Sequence, residues 1–150
     1  MTPQEKRIEV INACIAHQQQ IADVAKQEMD SAQQQSNDYG ANVDRYDSYR
    51  TKMMRNRDMY ARQLATAQAG IRVLQDLLKE PPHHIADHGA VVVTDRQAFL
   101  LSIGAGKFMV GNRVFFAISA QTPIYLALKG HSVGDSFVIN GQTQTIREIY

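Results

Sequence analysis

The residues best placed for chemistry cluster around one turn-forming stretch, Ser36-Asn37-Asp38-Tyr39-Gly40-Ala41-Asn42. Asp38 lies within it, and Asp44 and Asp47 follow it three residues apart. If the chain beyond the turn is helical, that spacing places both carboxylates on one face. Such a pair can serve a functional site, or it can be ordinary surface charge in a first turn, where the helix dipole favours acids. Tyr39 can stack on a base or pack the turn. Farther along, Arg50, Lys52, Arg55, Arg57 and Arg62 make a locally basic stretch. Arginine binds phosphate strongly, yet a run of this kind is equally a solvated helix face. Positions 50 and 52 point about 200° apart on a 3.6-residue period, so the cations do not all share one face.

Other candidate signals are weaker. His83, His84 and His88 with Asp87 have ligand types, but the spacing of 84 and 88 suits a metal only on a helix. Pro81-Pro82 and Gly89 argue against a helix there. Gly104-Ala105-Gly106-Lys107 lacks the spacing of a phosphate-binding loop and reads as a strand connection. Met53, Met54 and Met59 read as seam filler, and the lone Cys14 as a small buried residue. One cysteine cannot form an intramolecular disulfide, which fits a reducing cytoplasmic setting.

The elements that must position these residues follow from a shift in grammar at Pro81-Pro82. The chain has 150 residues, 44% hydrophobic, with a net charge of +1. That length suits one ordinary domain or two small ones. The charge does not argue for global nucleic-acid or membrane binding. No apolar run approaches the ~20 residues of a membrane span. Residues 1–80 read as a long antiparallel helical hairpin with its tip at about 36–43. Thr2-Pro3 signals the start. Ile8, Ile11, Ile15, Gln18, Ala22, Ala25, Met29 and Ala32 form one seam in steps of three and four, and Tyr46, Met53, Tyr60, Leu64, Ala67, Ile71, Leu74 and Leu78 form the other. Residues 81–89 read as a linker. Residues 90–150 read as an antiparallel sheet of five strands, at 90–95, 98–103, 113–119, 136–140 and 143–149, with a hairpin at Asn140-Gly141. Thr122 as N-cap, Pro123 as first helical residue and Gly130 beyond the end define one short helix, with Ile124, Ala127 and Leu128 turned to the sheet. The predicted class is α+β.

The order of types Ser119, Thr122-Pro123-Ile124, Ala127-Leu128, Gly130 and Gly134-Asp135, after a helical hairpin, resembles the Gre family of bacterial transcription elongation factors. The resemblance covers nearly the whole chain. It implies an FKBP-like C-terminal domain that docks on RNA polymerase, with Ser119, Thr122, Pro123, Ile124, Gly134 and Asp135 as docking candidates. It also implies a hairpin that enters the polymerase secondary channel. In the family, a D-x-x-E-N pattern at the tip supplies acids that help to hold a second Mg²⁺ in the polymerase active site for cleavage of backtracked RNA. Here Asp38 and Asn42 match, but Ala41 stands at the Glu position; Asp44 or Asp47 could replace it. Tyr39, Asn42, Arg50, Lys52, Arg55 and Arg57 become candidates for contact with polymerase and the RNA 3′ end. The resemblance thus implies a cytoplasmic, monomeric binding protein with no cofactor of its own beyond Mg²⁺ shared with the polymerase, and no membrane contact. It is at most a stimulator of the polymerase's own cleavage. The alternatives are a channel-occupying regulator without cleavage, a prolyl isomerase using Phe99, Phe108, Phe115 and Phe116, or a coiled-coil dimerisation protein.

Overall fold

A computed structural model describes residues 1–38 and 44–150, with side chains described at 1–37 and 48–150. The fold is α+β, as the sequence predicts. Helix α1 spans Pro3–Asp38 and α2 spans Asp44–Leu77. At the start of α1 the Glu5 amide donates to Thr2 Oγ1 at 3.1 Å, so Thr2 is the expected cap. The chain divides into two compact units, Gln18–Ile71, and Met1–His17 together with Arg72–Tyr150. Among the described residues no helix is long and apolar enough to cross a membrane.

In the unit Gln18–Ile71 most of the predicted seam is buried: Gln18, Ala22, Ala25 and Ala32 on α1, and Met53, Ala67 and Ile71 on α2, with Met29, Tyr60 and Leu64 half-buried. Ser36, outside the predicted seam, is buried as well. Tyr46 lies outside the residues with described side chains.

In the other unit six strands follow: β1 Val91–Thr94, β2 Ala98–Leu101, β3 Gly106–Val110, β4 Arg113–Ile118, β5 Ser136–Ile139 and β6 Gln142–Ile149. Helix α3, Pro123–Leu128, falls between β4 and β5. The sheet order is β3-β4-β2-β1-β6-β5. Two details differ from the sequence reading. Strand β3 was not anticipated, and β2 pairs with β4 in parallel, Phe99 opposite Phe116. Both have one cause. The chain reverses after β2 and runs out along the sheet edge as β3. A two-residue turn at Gly111, φ +59°, then brings β4 back into the gap between them. The Asn140-Gly141 turn is as predicted, with φ +52° and +76°, values that suit a type I′ hairpin.

Both faces of the sheet are covered, which explains the unbroken apolar runs at 90–93 and 98–101. Val91, Val93, Leu100, Phe108, Phe115 and Ala117 face one core together with Val10, Ile11, Cys14, Leu74 and Leu77 of the helices. Val92, Phe99, Leu101, Ile118 and Ile146 face a second core with Ala86, Tyr125, Leu128 and Phe137. Within this unit the helix face therefore shifts from the simple seam: Val10 and Leu77 are buried, while Ile8 and Leu78 are only half-buried. Burial pushes the Cys14 thiol up to about 12, which leaves it unreactive. The segment read as a linker is part of this fold. Ala86 is 0% exposed, its amide donates to His131 O at 2.8 Å, and its carbonyl accepts from the Gly130 amide at 2.8 Å.

Arg7 is the largest fully buried side chain of the unit. Its guanidinium donates to Leu77 O at 2.5 Å, Glu80 O at 3.1 Å, Glu80 Oε2 at 3.2 Å and Gly89 O at 3.0 Å. Desolvation pulls its pKa down, and Glu80 opposes that. Gly89 has φ +95°, and a Cβ there would lie 2.6 Å from Glu80 Oε2. Arg7→Met should lower unfolding free energy by about 2–4 kcal/mol, because buried carbonyls lose their donor. Gly89→Ala should cost about 1–3 kcal/mol through backbone strain and the clash with Glu80. Urea titration of each variant checks both; unchanged midpoints would contradict the role given to this cluster.

Candidate functional site

The acids that opened the sequence reading sit where α1 ends and α2 begins. By backbone, Asp38 is the last residue of α1, and Asp44 and Asp47 fall in the first turn of α2. Their side chains, and Tyr39, Ala41 and Asn42 altogether, lie outside the described residues.

The basic residues separate into different environments. Lys52 and Arg55 are exposed and, with Ser48, Thr51 and Asn56, line one open groove of 400 Å³. These positions recur every three or four residues, so they form one stripe of α2. Arg50 is half-buried and is not among that groove's lining residues. Arg57 is engaged inside the hairpin: it donates to Gln33 Oε1 of α1 at 2.7 Å and pairs with Asp58 at 2.7 Å. The groove therefore offers two cations with hydroxyl and amide donors, a set that can take a phosphate. One Arg57 donor links α2 to Gln33 of α1, and the others are taken by Asp58 on α2 itself.

The C-terminal motif residues build local structure. Thr122 Oγ1 donates to Ser119 O at 2.8 Å and accepts from the Tyr125 amide at 3.3 Å, which caps α3. Tyr125 and Leu128 are the buried residues of α3, with Ile124 and Ala127 packed half-buried beside them. The sequence reading named the last three but missed Tyr125. Gly134 has φ +93°. Asp135 Oδ2 accepts from the Ser132 amide at 2.9 Å and lies 3.3 Å from His131 Nδ1. The backbone bond from Ser132 first, then His131, hold the Asp135 carboxyl below its ordinary value. The Asp135 carbonyl accepts from the Ile146 amide at 2.9 Å, so this turn carries the chain into β5 beside β6.

Pro123 and Ile124 also form the apolar wall of an open cleft of 530 Å³, whose other lining residues are Arg96, Gln97, Ile139, Asn140, Gln142 and Gln144. Gln144 is buried and fixed, accepting from Thr94 Oγ1 at 2.7 Å and donating to Gln97 Oε1 at 2.7 Å. The sequence reading missed these polar residues. They come from two turns and one strand, and no local spacing joins them. None of the four phenylalanines offered for an isomerase pocket lines the cleft: Phe108 and Phe115 lie in the core against α1 and α2, and Phe99 and Phe116 in or against the core under α3.

Among the described residues no group of three His, Cys, Asp or Glu side chains is arranged to hold a metal. His83 instead bridges two carboxylates, with Nε2 3.0 Å from Glu80 Oε2 and Nδ1 2.5 Å from Asp87 Oδ1.

No protein-family model matches the sequence, and no curated protein matches it significantly. Among solved structures the chain is similar to the GreA factor homolog 1 (Gfh1) protein of Thermus thermophilus, at 16% identity over 95% of this chain and 94% of that one, with a TM-score of 0.38. A second structure, of the transcription factor Gfh1, shares 18% identity over 90% of each chain, with a TM-score of 0.34. At that identity and score, the likeness assigns neither family nor activity.

A carboxyl whose folded pKa is depressed stabilises the fold above its unfolded value, and that contribution fades as pH falls through the folded value. Asp135→Asn should therefore be less stable than the parent at neutral pH, with the gap closing as the pH falls below the ordinary carboxyl value of 3.8. Urea midpoints measured across pH 2–7 check this, with pH 2 and 7 as about the practical limits. A gap that stays constant with pH would contradict it.

Proposed function

We propose that this chain is a Gre-like transcription elongation regulator: it binds RNA polymerase, docks through the sheet domain and inserts its helical hairpin in the secondary channel. The observation that carries this reading is the motif from Ser119 to Asp135. Its capping and turn residues are used internally, at Ser119, Thr122, Gly134 and Asp135, and the fold they build leaves Pro123 and Ile124 exposed or half-exposed on a cleft. That is what a docking surface needs: fixed backbone beneath, accessible apolar atoms above. Helices of 36 and 34 residues supply a hairpin that suits a narrow channel. Lys52 and Arg55, in their shared groove, are suited to phosphates near an RNA 3′ end. The chain itself acts as a binding protein, and any metal-assisted cleavage belongs to the polymerase.

Ala41 favours the reading in which the hairpin occupies the channel without stimulating cleavage. A methyl group there removes one hard oxygen ligand from the family's tip pattern, and Mg²⁺ requires such ligands. The test is transcript length in a backtracked complex of the cognate polymerase, with binding recorded in the same reactions. Binding without shortening is the result expected of an occupying regulator. Mg²⁺-dependent shortening that Asp38→Ala reduces at least about tenfold, with binding unchanged, would show instead that Asp38 completes the tip site. Absence of binding would contradict the proposal.

A further inference from the structure

The cleft beside α3 has a chemistry of its own. Arg96, at the turn between β1 and β2, is exposed, and among the described residues its guanidinium has no hydrogen-bond or ion-pair partner. It is the one cation among the lining residues, and none of them is acidic. Around it stand neutral amides. Asn140 and Gln142 are exposed at the β5–β6 turn, and Gln97 has its Oε1 occupied by Gln144, which leaves its Nε2 as a donor. Pro123, Ile124 and Ile139 supply the apolar wall. The turn holding Arg96 is tied by side-chain hydrogen bonds. Thr94 Oγ1 accepts from the Arg96 and Gln97 amides at 3.1 and 2.9 Å, and Asp95 Oδ1 accepts from the Thr145 amide at 2.9 Å.

We infer that this cleft takes an acidic peptide segment of the docking partner, with a Glu or Asp carboxylate on Arg96, peptide groups on the glutamine and asparagine amides, and an apolar neighbour against Pro123 and Ile124. A free guanidinium pairs with a carboxylate through two parallel bonds. Side-chain amides match the alternating donors and acceptors of a peptide. A single cation beside an apolar wall suits a monoanion on an apolar chain better than a phosphate dianion. The 530 Å³ volume falls within the usual range for ligand pockets, about 300–1,000 Å³. The proposal rests on the reading of the sheet domain as the docking module.

The experiment is an amide-resolved NMR titration of the full chain with the blocked tetrapeptide Ac-Ala-Glu-Leu-Ala-NH₂, its Gln counterpart, acetate and inorganic phosphate. The Glu peptide should shift Gln97, Gln142 and Gln144, and should bind about fivefold more tightly than the Gln peptide, the yield of an exposed charge pair. Arg96→Gln should abolish that difference, Arg96→Lys should restore part of it, and Gln142→Glu should weaken the Glu peptide by repulsion. Equal binding of both peptides, shifts away from the cleft, or stronger cleft shifts with phosphate than with peptide would overturn the inference. Binding to polymerase separates the two claims. Polymerase binding by the parent and by Arg96→Gln alike would overturn the cleft proposal and spare the functional reading. No polymerase binding by the parent would overturn the functional reading, and with it the partner assigned to the cleft.

Discussion

One buried cation organises the unit that carries the sheet. Arg7 reaches carbonyls at Leu77, Glu80 and Gly89, which are 70 to 82 residues away in the chain. A guanidinium taken out of water needs acceptors held in a fixed arrangement; here both terminal nitrogens of Arg7 find them, and its buried Nε does not. The end of α2, the segment after it and the entry to β1 must therefore come to the first turns of α1 together. The cluster extends outward through Glu80, which also meets His83, and through His83 to Asp87. At Gly89 a side chain would have neither the space nor the backbone angle it needs.

The sheet then repeats the same logic with apolar contacts. Neighbouring residues of β1, β2 and β4 point to opposite faces, and each face has a cover: the helix ends on one side, α3 and the segment around Ala86 on the other. Because β1 and β2 are buried on both sides, the turns that join the strands are left to carry the accessible chemistry. Arg96 sits on one such turn and Asn140 on another, and the cap of α3 completes the cleft between them.

The local features were legible in the sequence. Thr122-Pro123 and Gly130 bracket α3, Asn140-Gly141 turns the last hairpin, and the alanine steps at 22, 25 and 32 mark the helical seam. Each rests on a preference of a few adjacent residues. What depends on distant partners was not legible. Arg7 looks like any polar residue on an amphipathic helix until its acceptors are placed. Strand β3 is short and largely exposed, at Gly106, Lys107 and Met109, so its pattern is weak, and the parallel pairing of β2 with β4 depends on it. Arg57 read as a cation free for a ligand, yet its partner Gln33 lies on the other helix. The cleft gathers residues from 96 to 144, and Arg96 and Gln97 carried no signal of their own.

In the proposed function the sheet domain docks and the hairpin tip reaches the active centre. The most direct test is a photoreactive aromatic at position 39, activated in a stalled elongation complex of the cognate polymerase. Cross-links to the RNA 3′ end or to the polymerase catalytic subunit near its active centre are the result the account predicts. Cross-links only to a second copy of this chain, or none while the chain stays bound, would contradict insertion of the hairpin, and the first of these would point to a dimerisation coil.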